Sequence, residues 1–195
     1  MNRFASSPAY LNGLPPTGQT TVYVVGDNGT NQTGVPHRYE VLTSGQYSGT
    51  VNIVLNGKTN VKSNAVVIDH QFKIMYSRTV SATVGPSNNG LVPWTVNASG
   101  EGVFEYVTLA NAANMGGHSD WRIPQNNEMI SIRNHVGASA VPDTTAFPSF
   151  PSSVVWTSTT AGNVSTFAVE GNFTSGSLPA VLKTTTAYVF LVRSI

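Results

Sequence analysis

Apolar and polar positions alternate through the first part of the chain, then switch to a helical period near its middle. Thr20–Gly26 is β-branched and ends in the turn cluster Gly26-Asp27-Asn28-Gly29, the composition of a strand and its stop. Arg38–Thr43 and Gly49–Leu55 are strand candidates separated by Ser44-Gly45-Gln46. In the second, Val51, Ile53 and Leu55 alternate with Asn52 and Val54, the period of a half-buried strand. Asn56-Gly57 signals a type I′ hairpin, because both central residues of that turn need positive φ. Ala65–Met75 carries enough apolar residues for a strand pair. Residues 81–100 read as loop, with a long turn at Gly85-Pro86-Ser87-Asn88-Asn89-Gly90.

Val103, Val107, Ala110 and Ala113 then fall on one helical face, and Gly116-Gly117 stops the helix. A second helix is expected over Asn126–Val136, with Pro124 before it, Asn126 as cap and Met129, Ile132, Arg133 and Val136 on one face. Short strands return at Val154–Thr157, Thr166–Glu170, Ala180–Lys183 and Ala187–Arg193. Strands, two helices and strands again predict an α+β domain. The prolines and glycines of residues 1–19 oppose both helix and strand, so that stretch is expected to be an extended arm. No sequence repeat of fixed period is present.

Composition narrows the function classes. Charged residues are 10% of the 195, and net charge is +1 with no run of Lys or Arg. The long-range positive field that attracts nucleic acid is therefore missing, and no nucleic-acid partner is expected. Cysteine is absent, which excludes disulfides, thiolate metal sites and cysteine nucleophiles. No apolar run resembles a secretory signal, and none approaches the roughly 20 residues of a membrane helix, so no membrane insertion is expected. Ser, Thr, Asn and Gly replace the usual surface charge, a composition common in extracellular and virion proteins.

Two strings are the most informative. Gly116-Gly117-His118-Ser119-Asp120-Trp121-Arg122-Ile123-Pro124 precedes Glu128, and Phe147-Pro148 precedes Val155-Trp156-Thr157-Ser158-Thr159-Thr160. Together they resemble the Legionella collagen-like protein C-terminal domain family, in which a Gly-Tyr-Ser-Asp-Trp-Arg-Leu-Pro stretch precedes a Glu-bearing helix. A Phe-Pro, a Tyr-Trp-Ser-Ser-Thr and a terminal strand with an Arg follow there, and Arg193 fits that Arg. Leu91-Val92-Pro93-Trp94 is similar to the family's opening Gly-Leu-Met-Trp. The resemblance is firm over most of 66–195 and loose before it. It implies a C-type-lectin-like fold: two helices flanking a small twisted antiparallel sheet, preceded here by the arm at 1–19 and a β-rich attachment segment at 20–65. It also implies a variable loop face for binding and no associated reaction. Family members often carry a cysteine pair whose positions fall near Ala110 and Leu191, and both are apolar here.

Read as chemistry, Trp121 is expected to anchor between the two helices, with Asp120 and Arg122 directed away to tie down loop backbone or each other. Pro124 forces an extended residue before the second helix, and Glu128 is placed as a capping-box residue. Ser119, Asp120, Trp121, Arg122, Pro124, Glu128, Trp156 and Arg193 are thus read as a structural motif, with the ligand face unassigned. Asp69-His70, His37, His118 and His135 lack metal-ligand spacing, and Glu101 and Glu105 have no third group beside them. Asn126-Asn127-Glu128 is the one cluster of calcium-ligand type, and no cofactor or metal is assigned. Asn-x-Ser/Thr triplets at Asn28, Asn31, Asn97, Asn163 and Asn172 are at the level of chance in so Asn- and Ser-rich a chain.

The expectation is a non-enzymatic bacteriophage virion structural protein, made in the host cytoplasm. It would decorate the capsid surface or bind a host receptor, as a capsid or tail component. Its partners would be other virion proteins, further copies of itself, and a host surface glycan or protein. The alternative is a bacterial surface or secreted adhesin. Trp94, Phe147, Phe150, Phe173 and Tyr188 are the aromatic candidates for a binding face, and several of them must be core.

Overall fold

The computed structural model describes residues 39–134 and 140–195. The arm at 1–19, the strand at Thr20–Gly26, His37, His135 and Val136 lie outside them. In chain order the elements are β1 (Tyr39–Leu42), β2 (Thr50–Leu55), β3 (Lys58–Ser63), β4 (Val66–Asp69), β5 (Ile74–Ser77), β6 (Leu91–Pro93), α1 (Val103–Ala112), α2 (Asn126–Ile132), β7 (Val154–Thr160), β8 (Phe167–Asn172), β9 (Ala180–Leu182), β10 (Thr186–Tyr188) and β11 (Val192–Ser194). Single 3₁₀ turns occupy Gly45–Tyr47 and Met115–Gly117. The class is α+β, as the order of periodicities implied.

Among the described residues three sheets form: β1-β4-β5-β11, β6-β10-β7-β8-β9 and the β2–β3 ribbon. Every pairing of these described strands is antiparallel except the contact of β10 with β7 at Tyr188↔Val155. The β2–β3 turn is built as its sequence requires, with φ of 50° at Asn56 and 71° at Gly57. β4 and β5 are buried almost throughout, because both faces of their sheet are covered. Val66 and Met75 face a core of aliphatic residues and tryptophan that includes α1. Val67, Ile74 and Tyr76 face a second, phenylalanine-rich core that includes α2. Continuous burial of this kind removes the polar alternation that a one-sided strand shows.

β1 pairs with β4, and Ile53 and Leu55 of β2 are buried in the same core as Val66. The segment before residue 66 therefore contributes a strand and a hairpin to the domain that follows.

Four local expectations differ from the structure. The stretch 81–100 holds a short strand, β6, which pairs with β10. Its entry loop depends on Gly85, where φ is +83° and a Cβ would lie 1.8 Å from the Leu91 carbonyl oxygen. The second helix stops at Ile132, because Arg133 turns extended at ψ 142°. Gln125, not Asn126, precedes the first helical turn as its cap residue. Finally, Ala187–Arg193 is two strands in two sheets. Between them Val189, Phe190 and Leu191 are wholly buried, and the backbone of Val189 and Leu191 is bonded to Ser81 and Ser77. The Ser81 hydroxyl accepts from the Val189 N–H at 2.8 Å, and that of Ser77 accepts from the Leu191 N–H at 3.2 Å. Those two hydroxyls give the Val189 and Leu191 amides partners where the chain changes sheets inside the core.

Candidate functional site

The Ser119–Pro124 string runs extended beneath β11. Arg122 and Val192 exchange both backbone hydrogen bonds, at 2.9 and 2.8 Å. Alternation then sends Trp121 and Ile123 to one side, into the core with α1, and Arg122 to the other, where α2 begins. Trp121 is consequently not an anchor between the helices as expected. It shares its core with Tyr106 and Ala110 of α1, whereas Met129 and Ile132 of α2 lie in the second core. Its indole N–H donates to the Met115 carbonyl at 2.8 Å. The Asn111 side chain brackets its backbone, accepting from the Trp121 N–H at 2.7 Å and donating to the Trp121 carbonyl at 2.9 Å.

Asp120 and Arg122 do not pair with each other. The Arg193 guanidinium grips Asp120 through both oxygens, at 2.7 and 3.1 Å, and holds the Asp120 carboxyl below its ordinary range. Arg122 forms an equally two-pronged pair with Glu128, at 2.7 and 2.6 Å. That pairing raises the Arg122 guanidinium further above neutrality. Glu128 also accepts from the Gln125 N–H at 2.7 Å, which makes it the reciprocal half of a capping box at the start of α2. Pro124 is buried and its carbonyl accepts from the Ser158 N–H on β7 at 2.8 Å. Ser119 is exposed. Trp156 is fully buried in the same core as Trp121, with its indole N–H on the Val92 carbonyl at 2.7 Å. Seven of the eight residues thus form one lattice of buried rings, paired charges and backbone contacts, and Ser119 stands at its edge.

The other candidates separate. Asp69 accepts from the Gln71 and Phe72 N–H groups in the β4–β5 turn, while His70 meets Glu40 at 2.8 Å. Glu101 is buried and paired with Lys58 at 2.8 Å. Burial alone would raise its carboxyl, but hydrogen bonds from Lys58 and Asn97 prevail and lower it. Asn126 accepts from the Thr157 hydroxyl at 2.8 Å, and both oxygens of Glu128 serve Arg122, so these two work within the fold, while Asn127 is exposed. Among the described residues no group of three metal-ligating side chains converges. His118 sits 3.3 Å from the Tyr47 hydroxyl and beside Trp121; burial, then the charge of Arg193, lower its pKa.

Of the five aromatic candidates for a binding face, Phe147, Phe150 and Phe173 are buried. Phe147 contacts Tyr39, Tyr76, Phe150 and Phe190 edge to face. Tyr188 is partly buried against the same core. Trp94 reaches the surface. Phe104, 42% exposed, packs on it at 4.7 Å, and the Lys183 ammonium lies 4.1 Å from its ring centre. Val96 and Leu182, close to Trp94 and Lys183 in the chain, are also exposed. Phe104 was missed, although it lies off the Val103–Val107–Ala110 stripe and could have been noticed as an apolar residue on the outer helical face.

The motif is thus set in an α+β scaffold with a tryptophan-bearing core and two bidentate ion pairs. Residues 65–193 match the model of the Lcl C-terminal domain. The chain belongs to that family, and the match marks a surface- or adhesin-type module. No curated protein matches it. Among the described residues no helix is long and apolar enough to cross a membrane.

Proposed function

We propose that this chain is a non-enzymatic binding module with a C-type-lectin-like arrangement, carried on the surface of a bacteriophage particle. The observation that carries this reading is the lattice around Trp121. Asp120, Arg122, Glu128 and Arg193 engage one another in pairs, which leaves the motif as scaffold and ligand contact to the loops. Low charge and a Ser/Thr/Asn-rich surface support the virion setting. The reading takes Trp94, Phe104 and Lys183, with Val96 and Leu182, as the contact face for a host glycan or protein. A second reading, a bacterial surface adhesin, is favoured by the family match itself.

The test is binding of the purified chain to intact host cells, with Phe104→Ala and Lys183→Ala as variants. Binding that falls at least about tenfold in the variants supports this face, that being the scale of one lost anchor contact. Undiminished binding removes it. No binding, with many copies per purified particle, selects capsid decoration. Absence from particles together with presence on bacterial envelopes selects the adhesin.

A further inference from the structure

The β2–β3 hairpin is attached to the domain in an unusual way. On β2 the inward residues are apolar, Ile53 and Leu55. On β3 they are polar: Lys58, Asn60 and Lys62 follow one another at every second position, and Asn64, just past the strand, continues the row. Each reaches a different distant segment. Lys58 donates to Glu101 at 2.8 Å and to the Gly85 carbonyl at 2.6 Å. Asn60 donates to the Tyr106 hydroxyl at 2.5 Å. Lys62 donates to the Thr79 carbonyl, and Asn64 accepts from the Gly116 N–H at 3.0 Å. The outward residues Val54 and Val61 are 48% and 62% exposed, so open space lies on the far side. Gly49 at the base of the hairpin has φ +69° and no neighbour that a side chain would strike.

Lys62 is the exceptional member of this row. It is 1% exposed, and among the described residues no carboxylate offsets its charge. Glu101 is held by Lys58, the burial-raised Tyr106 phenol stays neutral, Arg78 turns to the Thr145 and Ala146 carbonyls, and His118 meets Tyr47. Burial pushes the Lys62 amine from 10.5 down to about 7.

We propose that the β2–β3 hairpin is a proton-coupled flap, which lifts from the domain as a unit and is driven to do so by protonation of Lys62. Lifted, the amine is hydrated and regains its ordinary basicity. The closed flap binds fewer protons than the open one between 10.5 and about 7, so opening is favoured as pH falls through that window and levels off below it. Lifting uncovers Ile53 and Leu55, and frees Glu101 and Tyr106 of their hairpin partners.

The chain has no cysteine, so a single thiol can report opening. Ile53→Cys reports the flap and Leu191→Cys the body of the domain, both sites being fully buried. Labelling rates are divided by those of unfolded peptides at each pH. The opening constant at position 53 should rise about tenfold per unit as pH is lowered from 10 to 8, as linkage requires. It should exceed that at position 191 by at least about 100-fold at pH 8, the gap between local and global opening. Lys62→Met should abolish the slope at position 53. Equal constants at the two sites, or a slope that survives Lys62→Met, overturn the proposal. Should Lys62→Met not fold, the Lys62 side-chain nitrogen resonance of the unaltered chain decides: titration near 7 supports the flap, and titration near 10.5 overturns it.

Discussion

The two faces of the β1-β4-β5-β11 sheet are packed by different means. One face carries aliphatic side chains with Trp121 and Trp156, and each indole N–H is tied to a backbone carbonyl. The other is a knot of rings in which Tyr76 stacks on Phe190 at 5.7 Å while Phe147 meets four neighbours edge-on. On the first face large rings are oriented by hydrogen bonds. On the second, orientation comes from ring against ring, since phenylalanine offers no polar handle. A domain without disulfides or metal thiolates can hold two thin cores in this way, each locked by a different directional force. Ala110 and Leu191, near which the family resemblance implies a cysteine pair, are both buried in the first core, so apolar packing fills these positions.

Breaking either face should cost most. Trp156→Ala and Phe147→Ala should each destabilise by about 3–5 kcal/mol in urea unfolding, the range for removing a buried large aromatic. If only the tryptophan matters, the ring knot is ornamental and the comparison fails. Next in size is the ion pair that fastens the start of α2 to the Ser119–Pro124 string. Glu128→Ala should cost about 1–3 kcal/mol, because it strands the Arg122 guanidinium and removes the capping-box acceptor. Asp120→Asn should cost under about 1 kcal/mol, since that carboxylate is largely exposed although bidentate. Its contribution should be present above the ordinary carboxylate range and vanish as pH falls through the lowered Asp120 value, a trend visible in melting temperature against pH.

Glu170 sharpens the contrast from the opposite direction. Burial beside Trp156 raises its pKa, so its charged form disfavours the fold. The sign is therefore reversed: Glu170→Gln should stabilise at pH 7 and be neutral once pH falls below the ordinary glutamate range, where both states are protonated. Smallest of all, Phe104→Ala should alter stability by no more than about 0.5 kcal/mol, because its ring is largely outside both cores. A larger loss would mean that Phe104 belongs to the packing and not to a contact face.

Periodicity and motif grammar were legible without coordinates where one local interaction decides the outcome. The Asn56-Gly57 turn, the β4–β5 pair, the onset of both helices and the capping role of Glu128 depend on residues within about one turn of each other. So did family membership, because Ser-Asp-Trp-Arg-x-Pro is distinctive as a string. Tertiary structure alone decided the rest. Whether Ala187–Arg193 was one strand or two depended on hydroxyls of Ser77 and Ser81, more than a hundred residues away in the chain. Which partner Asp120 would take depended on β11 passing above it, and which aromatics would be hidden depended on a second core that no helical stripe announces. Short-range stereochemistry is written residue by residue, whereas burial is a property of what comes to lie on the other side.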